Sequence, residues 1–370
     1  MSATVPPRDA PLGEPIGTEP ALISRIAEVL GGFLDDRLRL LLDLHADLTP
    51  LAELARAAVD GGKRLRPTFS YWGWRSVQPA GANGEDGLVR AAAGLELLHA
   101  CALVHDDLID ASDTRRGRPA AHVRFADYRA ADWAGSTSSF GLAGAVLLGD
   151  LLLTWSEELF QAGVGRLPAQ RAGAAREQFD LMRTEVVAGQ FLDVLAQTRG
   201  AFDRDEALRV IELKTSRYTV QRPLLLGAAA AGADRQLLDR LAGYGHALGE
   251  AFQLRDDLLG VFGDPRITGK PAGDDLREGK RTLLLALATE AADPGQLAEL
   301  QNGIGRPGLT EAEVTRLRAT LHATGAPQLV EQRIAAGAEQ ARDCLAGADL
   351  RPEARQVLLE LVDIATQRNS

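Results

Sequence analysis

Two groups of aspartates carry the chemistry most open to reading in this chain. The first lies in Val104-His105-Asp106-Asp107-Leu108-Ile109-Asp110, near the end of an apolar stretch that begins around Leu88. On a helix, Asp106 and Asp110 are i and i+4 neighbours, with Cβ atoms roughly 5–6 Å apart on one face. Asp107 sits a third of a turn away. Carboxylates so placed repel each other, and the negative end of the helix dipole adds to the cost. A solvated helix end tolerates this, and a hard cation relieves it. Mg²⁺ suits the pattern, because it takes one or two carboxylates, keeps waters, and completes its shell with phosphate oxygens.

The second group, Asp256-Asp257 in Gln253-Leu254-Arg255-Asp256-Asp257-Leu258-Leu259-Gly260, comes 150 residues after Asp106 and lies on an equally apolar stretch. Asp274-Asp275-Leu276-Arg277-Glu278-Gly279-Lys280 follows it. One acidic helix end is ordinary. Two of them, each on a helix too apolar to be surface decoration, point to facing walls of one polar cavity.

Lysine usage is a separate signal. Basic residues number 41, yet only four are lysine: Lys63, Lys214, Lys270 and Lys280. They stand in glycine-flanked loops or near the paired aspartates, where a compact point charge suits phosphate without the planar fork of arginine. Arg64 and Arg66 flank Lys63, and Arg115-Arg116 come just beyond Asp110, where guanidinium groups would clamp phosphate oxygens bidentately. The pattern as a whole is that of a diphosphate site.

The elements that must hold these residues read as helices. Apolar residues recur at three and four from Leu22 to Leu41, and similar spacing predicts helices near 50–59, 66–78, 86–111, 138–163, 168–197, 205–216, 219–232, 236–262, 282–292, 311–324, 328–346 and 352–367. Breaks are expected where Gly, Pro and Asp gather, including 112–119, 263–279, Asp293-Pro294 and 305–308. No alternating run long enough for a useful strand and no fixed repeat stand out. Residues 1–20 hold five prolines and no apolar period, which predicts a disordered tail, followed by one all-helical domain over 21–370.

Composition narrows the function classes. Hydrophobic residues make up 45% and charged residues 25% of 370, the balance of a soluble globular chain. The net charge of -10 argues against broad nucleic-acid binding. Two cysteines, Cys101 and Cys344, suit a reducing cytoplasm and not a disulfide scaffold. The most apolar runs, 141–155 and 224–233, fall short of the roughly 18–20 residues of a membrane span, so none is expected.

Taken in order, the segments GGKRLRP, HDDLIDASDTRRGRP, VAGQFLD, KTSRY and FQLRDDLLGVFGDPRITGKPAGDDLREGKRT resemble the trans-type isoprenyl diphosphate synthases of the polyprenyl synthetase family. The resemblance covers residues 60 to 282 and implies an all-α bundle around a central cavity, usually a homodimer. The implied reaction is an Mg²⁺-dependent head-to-tail condensation of isopentenyl diphosphate with an allylic diphosphate, with three Mg²⁺ per site. Carried across by motif, Asp106, Asp110 and Asp256 would bind metal, with Asp107 and Asp257 in support. Arg115, Lys214, Lys270 and Lys280 would hold the allylic diphosphate, and Lys63, Arg66, His99 and Arg116 that of isopentenyl diphosphate. Thr215, Gln190 and Gln253 would line the reacting centre, while His105 is expected to be structural. Gly260 departs from the pattern, since many members carry Asp there.

In the family, bulky residues four and five positions before the first aspartate stop the product at fifteen carbons. Here these are the small Ala102 and Cys101, with Leu98 a turn deeper, so the resemblance implies geranylgeranyl diphosphate (C20), with C15 or longer products as alternatives. A class I terpene cyclase and a catalytically silent partner subunit are the other readings. The cyclase would carry an Asn/Ser/Glu metal motif on the second wall and needs no second diphosphate site. The silent subunit would lose one or both Asp clusters.

Overall fold

The computed structural model describes residues 20–128, 135–200, 202–263 and 273–367, apart from the side chain of Asp274. Its helices are α1 (Pro20–Leu44), α2 (Thr49–Val59), α3 (Leu65–Arg75), α4 (Glu85–Ile109), α5 (Ala121–Asp127), α6 (Thr137–Val164), α7 (Ala169–Arg199) and α8 (Arg204–Val210). A π-helical stretch, Ile211–Gln221, runs directly into α9 (Arg222–Ala231). Then come α10 (Arg235–Phe262), α11 (Asp274–Glu278), α12 (Leu283–Ala291), α13 (Pro294–Gly303), α14 (Glu311–Ala323), α15 (Ala326–Ala346) and α16 (Pro352–Thr366). Among the described residues the only strands are two-residue pieces, β1 (Thr114–Arg115) and β2 (Arg118–Pro119), paired antiparallel across the Arg116-Gly117 turn. The architecture is all-α, as the periodicity predicts. The expected disordered tail lies outside the described residues, except that Pro20 already opens α1.

Helix α4 is the central one. Leu88, Ala91, Leu95 and Leu97 are fully buried, and α4 packs along α6 with α1 and α3 on its other sides. Helix α10 packs against α15 and the π stretch, so the aspartate-bearing ends of α4 and α10 belong to two of the best-buried helices. Buried apolar side chains form three clusters. One joins α1, α2, α4, α6, α10 and α16; one fills the space between α10 and α12–α15; the third lies among α3, α4, α6, α7 and α9. By length and apolarity alone, two helices would pass for membrane spans, a departure from the sequence expectation. The apolar window of α4 is 78% buried in the bundle, whereas that of α6 is 33% buried.

The boundaries differ from the sequence reading in instructive places. Helix α13 begins where a break is expected, because Asp293 is its N-cap, Pro294 opens its first turn, and Gln296 completes a capping box. Helix α5 has no counterpart in the helices that the apolar spacing predicts. The largest difference concerns residues 204–231, expected as two helices meeting near 217. They run continuously, with the π stretch absorbing the irregularity. Its wider turn shows in the bond from the Arg222 N–H to the Arg217 carbonyl, an i to i+5 spacing. Neighbouring glycines make room for that backbone: a Cβ on Gly249 of α10 would lie 2.4 Å from Ser216 Cα, and one on Gly189 of α7 would lie 2.9 Å from Lys214 N.

Candidate active site

One cavity of about 520 Å³ opens between the end of α4, the π stretch and the end of α10. Asp106 lines it from one side and Asp256 and Asp257 from the other. Lys63, Lys214 and Lys280 line it too, so every described lysine of the chain faces the same space. Lys270 lies outside the described residues.

The first wall is built on the last turn of α4. Asp110 closes that helix and is half-buried; burial, and then the charge of Asp106, push its carboxyl up to about 6. Asp107 is buried and points elsewhere, accepting Arg115 Nε at 2.7 Å and Nη2 as well. Arg115 is thus paired with Asp107, with Nη2 also 3.7 Å from Asp106. Burial works against its charge, but the bond to Asp107 outweighs that and raises it. Lys214 Nζ donates to Asp106 Oδ1 at 3.1 Å and to Asp193 Oδ2 at 2.8 Å. Burial opposes the ammonium charge, yet Asp193 and Asp106 together hold it above the ordinary lysine range.

The second wall is relayed from the π stretch. Thr215 Oγ1 donates to Gln253 Oε1 at 2.6 Å, and Gln253 Nε2 donates to Asp257 Oδ1 at 2.7 Å. Asp257 is buried at the cavity wall, and burial, followed by the charge of Asp275, pushes it up to about 7. Gly260 has a direct explanation here. A Cβ at that position would lie 2.0 Å from Asp275 Oδ2. Asp275, which also lines the cavity, fills the space that a fifth-position side chain would need, and accepts from Lys280 Nζ at 3.1 Å. Lys280 also pairs with Glu278 at 3.1 Å.

A second basic region adjoins the first. Arg66 is buried, donates from Nη2 to Thr219 Oγ1 at 2.8 Å, and lies 4.2 Å from the ring centroid of Tyr218. His99 is half-buried beside Tyr218; desolvation, and then the charges of Arg66, Arg116 and Arg115, drive it well below the usual range, so it is neutral at pH 7. Arg116 holds a left-handed backbone (φ 53°) and donates to the Asp60 carbonyl, with its guanidinium against Gly62. Among the described residues, His99 Nδ1, Arg66 Nε and Gln190 Nε2 are buried with no hydrogen-bond partner. At Arg66 and His99, unmatched nitrogens amid guanidinium charge are what an anion would satisfy. The π stretch reaches both regions, Lys214 and Thr215 toward the cavity, Tyr218 and Thr219 toward Arg66.

Asp110, Arg66, His99, Arg116 and Gln190 stand outside the lining of the cavity itself, as do Cys101, Ala102 and Leu98. Cys101 and Leu98 are buried and Ala102 is half-buried on the turns of α4 beneath Asp106. His105 turns away: Nε2 lies 3.2 Å from the Val146 carbonyl of α6, and Nδ1 3.8 Å from Cys101 Sγ, a packing role. Asp193 and Asp275 are site residues to which the sequence alone attaches no role. Asp193 stands in VAGQFLD, and Asp275 in the acidic run before Lys280, so both lay inside quoted motifs without a stated partner.

Comparison with known proteins places this geometry. The polyprenyl synthetase family model matches residues 49–321. The geranylfarnesyl diphosphate synthase of Aeropyrum pernix is 32% identical over 313 residues, 83% of this chain and 91% of that protein. The geranylgeranyl diphosphate synthase of Mycobacterium tuberculosis is 32% identical over 306 residues, 81% of this chain and 80% of the relative. A geranylgeranyl pyrophosphate synthase from Corynebacterium glutamicum, solved with isoprenyl diphosphate and magnesium, superposes with a TM-score of 0.89 at 40% identity, covering 94% of this chain and 98% of that one. The chain belongs to the polyprenyl synthetase family. It is a short-chain trans-prenyltransferase.

Proposed function

We propose that the protein condenses isopentenyl diphosphate with an allylic diphosphate to give geranylgeranyl diphosphate, with Mg²⁺ bound in the cavity. The observation that carries this reading is that Asp106 and Asp256 line the same cavity as Lys63, Lys214 and Lys280. The donor set fits a hard cation. Asp106 and Asp256 offer carboxylate oxygens to the same cavity, and a hard divalent ion takes one or two carboxylates and completes its shell with water and substrate phosphate. Asp106, Asp110 and Asp256 would hold Mg²⁺, three ions in all, with Asp257 and Asp275 behind them. When bound, the metal stabilises the negative charge that grows on the departing diphosphate.

The chain's own residues do the rest. Lys214 and Lys280, with Lys270 and Arg115, bind the allylic diphosphate and neutralise the leaving group as its C–O bond breaks. The Thr215 hydroxyl, its proton held by Gln253, turns oxygen lone pairs toward the allylic cation, and the Gln190 carboxamide adds a second acceptor. Lys63, Arg66, Arg116 and neutral His99 anchor the second diphosphate, so that its double bond meets the cation and not water. A proton then passes to the diphosphate just released.

The residues on the turns of α4 beneath Asp106, Ala102 and Cys101, are small, which supports a tail longer than C15 and hence C20. The α6 and α7 faces support a homodimer: Leu147, Val187 and Phe191 are 61%, 69% and 67% exposed, with Leu142 and Val146 beside Leu147. Both cysteines are free thiols, which suits the cytoplasm. The test is incubation with isopentenyl diphosphate, each allylic primer and Mg²⁺, followed by product sizing. C20 is expected, and Ala102→Phe should shorten it. A cyclic hydrocarbon product, or no elongation, would overturn the proposal.

A further inference from the structure

Lys214 occupies an unusual position for a residue that must later hold phosphate. Its ammonium lies between two carboxylates from different helices, 3.1 Å from Asp106 on α4 and 2.8 Å from Asp193 on α7, and all three side chains are largely buried. Around them stand Asp110, whose charge interacts with Asp106, Asp193 and Lys214, and Arg115, 3.7 Å from Asp106. Without Lys214, three carboxylates, Asp106, Asp110 and Asp193, would share a largely buried wall with only Arg115 and the more distant charge of Lys280 to offset them, an expensive arrangement. Asp106 therefore already has a cation before any metal arrives.

We propose that Lys214 is an internal placeholder for the metal, and that Asp193 is the positioning residue to which it retreats. While Lys214 spans Asp106 and Asp193, a divalent ion must displace it to reach Asp106. An arriving diphosphate offers the lysine new oxygens and the metal a completed shell at once. Asp193, which lines the same cavity from α7, keeps the ammonium beside the site after Asp106 is released. The consequence is ordered loading: substrate-free enzyme binds metal weakly at this wall, and diphosphate and metal enter together. This rests on the proposed function, in that Asp106 is taken as a metal ligand.

The experiment measures Mn²⁺, a hard divalent probe visible by electron paramagnetic resonance, binding to the substrate-free enzyme. Lys214→Met should bind Mn²⁺ about tenfold more tightly than wild type while its turnover falls, opposite signs for one substitution. Lys214→Arg, which keeps a cation in place, should bind Mn²⁺ as weakly as wild type. The tightening should persist at 0.5 M KCl, where the Debye length of roughly 4 Å screens a general charge effect but not a contact pair. Asp193→Asn should raise the KM for the allylic diphosphate more than it lowers kcat, and should not tighten Mn²⁺ binding. Equal or weaker Mn²⁺ binding by Lys214→Met would overturn the proposal; so would tightening that vanishes in high salt. If Lys214→Met does not fold, tightening in Asp193→Asn overturns it alone. Product formation by wild type tests the proposed function separately, so the two failures are distinguishable.

Discussion

The two aspartate walls meet one electrostatic problem with different materials. On the first, α4 supplies its own second carboxylate one turn along, Asp110, and the cation between the charges comes from the π stretch as Lys214. On the second, α10 has Gly260 at the equivalent place, and the carboxylate there is Asp275, delivered from α11 and paired with Lys280. The first wall is local in sequence; the second is assembled from two elements. Burial raises aspartic acids on both walls, Asp107 and Asp110 on the first, the latter to about 6, and Asp257 on the second to about 7. The comparison teaches that a cavity needs charges at places, and that a motif letter is only one way to supply them.

If the walls share one diphosphate, Asp106→Asn and Asp256→Asn should each lower kcat by about a thousandfold, equivalent to about 4 kcal/mol of transition-state stabilisation. Steady-state rates with both substrates saturating would show it, and a loss confined to one wall would break the symmetry. Lys280→Met should cost about a hundredfold in kcat/KM for the allylic substrate, with little change in KM for isopentenyl diphosphate. Unequal effects on the two substrates would sharpen the division between the cavity and the Arg66 region.

Gly260→Asp restores the common family letter, and the comparison predicts that it harms. The new side chain would meet Asp275 where even a Cβ comes within 2.0 Å. Activity should fall about tenfold and Tm by several degrees, as expected for an overpacked, like-charged contact. Gain of activity would show that Asp275 is a poor substitute for an aspartate at this position.

A smaller effect lies in pH. The folded pKa values of Asp110 and Asp257, about 6 and about 7, stand above the roughly 3.9 of an exposed aspartate. The folded, metal-free protein thus binds protons that the unfolded chain has released. The stability linked to these groups is fully present below the unfolded pKa and is lost as pH rises through the folded values. In EDTA, Tm should be about 2 °C higher near pH 5.5 than at pH 8, and Asp257→Asn should flatten the difference. Catalysis should run the other way, falling as the pH drops, because metal ligation needs the carboxylates ionised.

Much of this was legible in the sequence. Asp106, Asp110 and Asp256 stood out because helical spacing fixes where their side chains project, and the lysines because so few are present. The helices that bear them were legible from apolar period alone. What escaped depends on contacts between distant residues. Nothing local marks 211–221 as π-helical, since the room for its wide backbone comes from Gly189 and Gly249 on other helices. Asp193 gains meaning only when Lys214 meets it across 21 residues, and Gly260 only when Asp275 fills its space. The start of α13 is a different case. Asp293-Pro294 was readable as a cap and first turn, and taking proline for a break alone missed it.

The most direct measurement is a crystal of the enzyme soaked with Mn²⁺ and an unreactive allylic thiodiphosphate, examined by anomalous scattering. Peaks beside both Asp106 and Asp256, bridged by a single diphosphate, are the expected outcome. Metal on one wall only, or a diphosphate bound away from the space between them, would contradict the shared cavity on which the account stands.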